Sequence, residues 1–473
     1  MRKHLYIKGS WVEAAEYRPL HAPYDGFKIA EVAYANEAEV KQAIAAAAHA
    51  SPTMARMPAH ERASILGKVA ALLSERADEC AHLIALEAAK PLKAARAEVE
   101  RTVMTYQLAA EETRRIHGET IPLDAAPGGE GRIAYTIRQP LGIVAAITPF
   151  NFPMNLVAHK VGPALAAGNT VVLKPAGQTP LSALLIAELF EEAGLPAGAL
   201  NVVTGSGSLI GDILVQDERV KAVSFTGSPE VGIGIRSKAG LKKVTLELGS
   251  NAALIVDQGV QLDKMISRAV TGAFSNSGQV CISLQRIYVH EQLYNTFVEK
   301  FVACTEMLHV GDPLDPHTDV SALIARKDVE RSLAWIAEAK RLGAEVATGG
   351  VHQDNVVHPT VLLHVDASAQ ISCSEAFAPV VLINRVSSME EAIQAVNDSR
   401  YGLQAGIYTN DISTALAAAE RLEVGGVMIN DIPTFRVDHM PYGGVKDSGI
   451  GREGVKYATE QFTELKLICF KKD

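Results

Sequence analysis

Leu141-Gly-Ile-Val-Ala-Ala-Ile-Thr-Pro-Phe-Asn151 is the stretch whose reading decides the fold. Residues 143–147 are all apolar, with no polar residue alternating among them. Such a run describes a strand buried on both faces, and the proline that follows ends it. The same pattern returns at Thr170-Val-Val-Leu173, Leu200-Asn-Val-Val203, Val220-Lys-Ala-Val-Ser224 and Val244-Thr-Leu-Glu247. Helical segments are predicted between these strands over 154–167 and 181–193, and from Ser208 and Pro229. Buried strands alternating with helices give a parallel sheet covered on both faces. Ligands bind such sheets at the carboxyl ends of the strands. Pro149-Phe-Asn151, Lys174-Pro175, Gly205-Ser-Gly207, Phe225-Thr-Gly-Ser228 and Glu247 all fall at those ends.

A second α/β alternation is predicted from about residue 249 to 429, with a helix from Asp263 and strands at 286–290, 380–385, 405–408 and 427–430. Ahead of the first sheet the chain reads as helical. Asn36 and Glu39 form a capping box for a helix to about Ala50. Pro58 starts a second helix with an apolar face of Ile65, Leu66, Val69, Leu72 and Leu73. A third is predicted from about Pro91 to Arg115. Residues 118–140 are rich in glycine and proline around Ile133-Ala-Tyr-Thr-Ile-Arg138, and read as strands standing off the first unit. Glu464-Leu-Lys-Leu-Ile-Cys-Phe470 alternates like an edge strand, which invites pairing with another chain.

The 473 residues suffice for two or three domains, and 48% apolar with 21% charged residues describes a soluble globular protein. A net charge of −9 without a basic cluster argues against nucleic acid as a partner. The run at 141–147 is too short to span a bilayer, and Met1-Arg-Lys-His-Leu-Tyr-Ile-Lys-Gly9 has no signal-peptide core. Five scattered cysteines (Cys80, Cys281, Cys304, Cys373, Cys469) suggest reduced thiols in a cytoplasm. Neither Cys-x-x-Cys nor His-Glu-x-x-His occurs, so no metal is expected.

Chemistry concentrates in Phe274-Ser-Asn-Ser-Gly-Gln-Val-Cys281 and Val244-Thr-Leu-Glu-Leu-Gly249. A cysteine after a Gly-Gln turn can approach a carbonyl carbon with little hindrance. A glutamate on another element can activate water. The pair suits attack on a carbonyl followed by hydrolysis of a thioester.

These residues, with Pro149-Phe-Asn-Phe-Pro153, Lys174-Pro175, Phe225-Thr-Gly-Ser228, Glu375-Ala-Phe-Ala-Pro379 and Gly443-Gly-Val-Lys-Asp-Ser-Gly-Ile-Gly-Arg-Glu-Gly454, resemble the aldehyde dehydrogenase superfamily. The match runs nearly the whole chain in the family's order. It implies a Rossmann-like dinucleotide-binding domain over 1–117 and 138–248 and an α/β catalytic domain over 249–445. Oligomerisation strands would lie at 118–137 and 446–473 of a homodimer or homotetramer.

By this resemblance Cys281 is the nucleophile and Asn151 donates to the oxyanion, beside the backbone N–H of Cys281. Glu247 activates water, and Lys174 holds the cofactor ribose. Thr148, Pro149, Phe150, Ala176, Gly177, Gly207, Phe225, Thr226, Gly227, Ser228, Val231, Leu248, Glu375 and Phe377 are expected around NADP or NAD. Ser228 opens a helix, whose free N–H groups suit a pyrophosphate. Each residue also has a structural alternative: a turn residue at Asn151, a satisfied carboxylate at Glu247, a surface ion pair at Lys174, loop supports at Glu375 and Phe377.

Gly177 stands where many NAD-preferring relatives carry a ribose-binding glutamate. Its lack of a carboxylate removes a repulsion toward a 2′-phosphate worth roughly a few kcal/mol. Ser250 and Ala378 replace common glycines, which are small changes. The substrate is expected to be a small hydroxylated or anionic aldehyde, lactaldehyde-like by preference, met by Arg101, Phe152, Arg436 and His439. Glyceraldehyde 3-phosphate, succinate semialdehyde and sulfolactaldehyde are alternatives. Val280, where phosphate-binding relatives often place a basic residue, speaks against the first. Glu247 speaks against a CoA-acylating enzyme, and the retained Cys281, Asn151 and Lys174 against a non-catalytic relative.

Overall fold

The computed structural model describes residues 1–472. Its first sheet has eight strands in the order Gly449–Ile450, Lys243–Glu247, Val220–Thr226, Ile143–Ile147, Thr170–Lys174, Leu200–Val202, Leu5–Ile7 and Ser10–Val12. The five consecutive strands from Lys243–Glu247 to Leu200–Val202 are parallel, as the apolar runs predict. The added strands at both edges are antiparallel. Side chains alternate between faces, yet both faces are buried. Val144, Ala146, Val171 and Leu173 join one core, and Ile143, Ala145, Ile147 and Val172 the other. This double burial is why the strands carry no polar alternation.

From Ile143–Ile147 the chain first lays strands to one side and then returns to the other. That strand is the topological switch point. Register fixes which residues share its open edge: Ile147 pairs with Lys174 and Phe225, and Thr226 with Glu247. Four strands thereby deliver Asn151, Lys174, Thr226 and Glu247 to one rim.

The second sheet has seven strands in the order Glu345–Thr348, Thr360–Leu363, Val380–Val386, Arg286–His290, Ala253–Val256, Gln404–Tyr408 and Gly426–Ile429. All but the first run parallel. Four of these match the sequence prediction. Ala253-Leu-Ile-Val256, too short to stand out between Asn251 and Asp257, does not appear in it. A third sheet pairs Thr463–Lys471 along the whole of Arg132–Pro140, with Thr120–Ile121 beyond.

Several sequence readings are corrected. The N-terminus opens on short strands between Arg2 and Ala33 before the first helix, Glu37–Arg56. That helix keeps the predicted Asn36–Glu39 capping box but runs past Ala50 and through Pro52. A helix at Ala77–Ala88 was not foreseen, and the long helix begins at Leu92 with Pro91 as its N-cap. The segment 446–462, grouped by sequence with the oligomerisation strands, instead laces the body together. Gly449–Ile450 joins the first sheet, and Val455–Gln461 packs on the helix Asn155–Ala166. Short strands and lone turns carry too little periodicity to be read from sequence. No helix among the described residues is long and apolar enough to cross a membrane.

Candidate active site

The loop carrying Cys281 is held in an unusual backbone shape. After the helix Ile266–Phe274, three successive residues, Asn276, Ser277 and Gly278, take φ of 51°, 56° and 71°. Only the last is glycine, and left-handed backbone costs an ordinary residue roughly 1–2 kcal/mol. Packing holds the loop there. Ser277 Oγ donates to Ser321 O at 2.9 Å, and Gln279 Oε1 accepts from Ile324 N at 3.0 Å. A Cβ at Gly278 would lie 2.0 Å from Ala378 O, so the loop rests directly on the backbone of the Glu375–Pro379 motif.

This shape delivers the half-buried Cys281 to the wall shared by two cavities. One, of about 230 Å³, is lined by Pro149, Phe150, Asn151, Thr226, Gly227, Ser228, Leu248, Glu375 and Phe377, all singled out by sequence, and by Asp328 and Arg331, which were not. The other, of about 200 Å³, is lined by Arg101, Phe152 and Arg436 from the sequence set, and by Lys90, Glu98, Asn276, Thr434 and Tyr442 beyond it. His439 is exposed and belongs to neither; its neighbour Asp438 is the buried one. Consecutive loop residues point opposite ways, so sequence position alone does not separate them. Lys90 carried no signal, as it merely precedes Pro91.

Asn151 is buried. Its Nδ2 donates to Gln279 O at 2.9 Å, while its Oδ1 has no partner. Cys281 Sγ lies 2.7 Å from the Tyr442 hydroxyl. Burial pushes the thiol up to about 11, opposed by the Tyr442 hydrogen bond and the Arg436 charge. Glu247 is 3% exposed, and neither carboxylate oxygen has a hydrogen-bond partner. Burial first, and the Glu453 charge second, hold it well above the usual carboxylate range. Glu453 itself is held low despite burial, by Lys160 at 2.8 Å and Arg436 at 3.0 Å.

Farther along the rim, Lys174 is buried without an offsetting carboxylate, and burial alone lowers it to about 8. A Cβ at Gly207 would lie 3.7 Å from its Nζ. The hydroxyls of Thr148, Thr179 and Thr226 are buried and unpartnered. Ser228 caps the helix Pro229–Lys238 by accepting from Val231 N, and the Val231 side chain is exposed beside it. Burial raises Glu375 to about 7, while Ser250 N donates to it at 3.0 Å. Phe150 and Phe377 meet edge to face.

Cys281 and Asn151 thus line the first cavity together, and Glu247, which lines neither cavity, lies close enough for its charge to bear on the Cys281 thiol. The profile of the aldehyde dehydrogenase family matches residues 11–468, and the chain belongs to that family. It is 48% identical to 3-sulfolactaldehyde dehydrogenase from Priestia aryabhattai, over 98% of this chain and 97% of that one. Aldehyde dehydrogenase 21 from Physcomitrella patens, solved with its reaction product succinate, shares 42% identity over 100% of this chain and 98% of that one, with a TM-score of 0.98. Glyceraldehyde-3-phosphate dehydrogenase GapN from Methanocaldococcus jannaschii, solved with NADP, shares 41% over 97% and 100%, with a TM-score of 0.94.

Gly278→Ala tests the loop geometry. The added methyl meets a backbone carbonyl and a positive φ at once. Urea denaturation is expected to show a loss of about 2 kcal/mol or more, and turnover to collapse. An unchanged midpoint with full activity would contradict it.

Proposed function

We propose that this enzyme oxidises a small anionic hydroxyaldehyde of the 3-sulfolactaldehyde type to its carboxylic acid, using NADP or NAD. The observation that carries the reading is the cavity beyond Cys281. Three basic side chains, Lys90, Arg101 and Arg436, line a space of about 200 Å³; each is paired with a carboxylate, Glu98, Asp438 and Glu453 respectively, of which only Glu98 lines the cavity itself. An anionic group at the far end of a three-carbon aldehyde would meet them. The 48% identical sulfolactaldehyde dehydrogenase and the succinate-bound neighbour support an anion. Uncharged lactaldehyde, favoured by sequence, becomes the second reading.

In the proposed reaction Cys281 Sγ adds to the aldehyde carbon, and the sulfur–carbon bond gives a thiohemiacetal. Asn151 Nδ2 and the Cys281 N–H would stabilise the oxyanion, a donor of this kind being worth roughly 3–4 kcal/mol. When bound, the nicotinamide dinucleotide supplies the hydride acceptor for the oxidation. Glu247 then takes a proton from water as it attacks the cysteine-bound acyl carbon, and the thiolate leaves. A carboxylate held above its usual range is suited to that task near neutral pH.

The rim residues fit the dinucleotide. A buried lysine and three buried hydroxyls without partners are costly unless a ligand satisfies them. Lys174 would hold a ribose, Ser228 and the helix it caps a pyrophosphate, and Glu375 the nicotinamide ribose. Nothing lies within 4 Å of a Cβ built at Gly177, so no neighbour fills the place of the missing glutamate.

The third sheet supports a homodimer or homotetramer. It stands off the body and exposes Ile133, Tyr135, Leu465, Leu467 and Phe470. Light scattering at micromolar concentration is expected to read two or four chains, and a monomer would refute it. Five free thiols support a reducing, cytoplasmic setting.

An aldehyde panel run with both cofactors tests substrate and Gly177 together. The anionic hydroxyaldehyde is expected to exceed lactaldehyde in kcat/KM by about 100-fold, the worth of one or two charged contacts, and Arg101→Ala to erase most of that gap. NADP is expected within about tenfold of NAD or better, and Gly177→Glu to shift the balance toward NAD. Equal rates on both aldehydes, or thousandfold rejection of NADP, would contradict these assignments.

Glu247→Gln is expected to leave a rapid burst of about one NAD(P)H per active subunit, followed by slow turnover. In the wild type, deacylation is expected to fall as pH drops through the raised Glu247 range, well above that of an ordinary glutamate. Burst and steady state lost equally would point away from this role.

A further inference from the structure

Tyr442 is buried, and its hydroxyl sits 2.7 Å from Cys281 Sγ. The Arg436 guanidinium lies over its ring, 3.6 Å from the centroid, and is itself anchored by Glu453 at 3.0 Å. Beyond the sulfur, the phenol oxygen has no other protein partner among the described residues. A cation on the face of a phenol draws density from the ring and strengthens the O–H as a donor. A thiolate is the better acceptor of that hydrogen, since a thiol sulfur accepts only weakly.

We propose that Tyr442 is the hydrogen-bond donor that sets the thiolate population of Cys281, with Arg436 polarising its phenol. The proposal rests on Cys281 being the nucleophile. The thiol proton is released to bulk water through the cavity, and the phenol keeps its own. When Sγ bonds to the aldehyde carbon, the sulfur loses its negative charge and the hydrogen bond weakens. The donor therefore acts on the free enzyme, against the burial that disfavours a thiolate in this wall. Other charges bear on the same place. Glu247 and Glu375 oppose ionisation of Cys281, Arg436 favours it, and Lys90, Glu98 and Arg101 line the cavity the sulfur faces. A phenylalanine would fill the same volume with no donor, so packing alone gives no reason for the hydroxyl.

The test is the pH dependence of Cys281 alkylation by iodoacetamide in the full-length enzyme, read by mass spectrometry of the Cys281 peptide. This readout does not need turnover. In Tyr442→Phe the apparent ionisation is expected to move up by about one pH unit, a tenfold smaller thiolate fraction at neutral pH. The rate there is expected to fall only about threefold, because a more basic thiolate is more nucleophilic. At high pH the two profiles should cross, with the variant faster. Replacing Tyr442 by 3-fluorotyrosine, a more acidic phenol of nearly the same shape, should move the ionisation the other way. A profile that stays in place, or one lowered uniformly without a shift, would overturn the proposal. Cys281→Ala that keeps its dehydrogenase turnover would sink the nucleophile reading instead, so the two failures are distinguishable.

Discussion

The buried carboxylate of Glu453 holds the active region together. It accepts from Lys160 at 2.8 Å and from Arg436 at 3.0 Å, and Lys160 also donates to Ser224 Oγ at 3.1 Å. These residues come from a helix of the first unit, a strand of its sheet, the loop before the glycine-rich C-terminal motif, and that motif itself. Both side chains of the lysine–glutamate pair are almost fully removed from water. Losing one partner of such a pair typically costs about 3–5 kcal/mol, because the survivor keeps its desolvation penalty. The pair therefore fixes where the C-terminal segment crosses the body, and with it the position of Arg436.

The same arrangement separates two carboxylates that share one neighbourhood. Glu453 has two cations and stays ionised; Glu247 has no hydrogen-bond partner and feels Glu453 as a like charge. Opposite environments set them apart: one a structural anion held ionised by its cations, the other a carboxyl held well above its usual range by burial and by the charge of the first. Arg436 is shared between the structural anion, the Tyr442 ring and the small cavity. A second ionic cluster braces the far wall of that cavity. Asp438 accepts from Arg101 at 2.7 Å, from Asn155 at 3.1 Å and from His159 at 2.8 Å. The cationic cavity is thus supported by buried anions behind it, which keep its arginines in place when no ligand is there.

Strain in the cysteine loop follows the same logic. Left-handed φ at Asn276 and Ser277 is tolerated because hydrogen bonds from Ser277 and Gln279 over-determine the loop, and because Gly278 lies directly on the Ala378 carbonyl. The sulfur reaches the wall between two cavities only by that turn.

Much of this was written in local sequence. The five buried parallel strands and the rim residues at their ends follow from apolar runs and turn residues, which are properties of neighbouring positions. The added strands Leu5–Ile7, Ser10–Val12 and Gly449–Ile450, the short strand Ala253–Val256 and the role of residues 446–462 did not, because a short segment takes its conformation from the surface that receives it. Nor did sequence show Lys90 lining the cavity, Asp438 buried while His439 faces water, or the Tyr442 hydroxyl touching the sulfur. Which way a loop side chain points, and which charge it finds there, depends on residues hundreds of positions away. By itself the sequence determined the sheet and which polar residues stand at its open edge. Only the tertiary structure decided their ionisation and the shape and charge of the space before them, because burial and long-range pairing exist only once the chain has closed on itself.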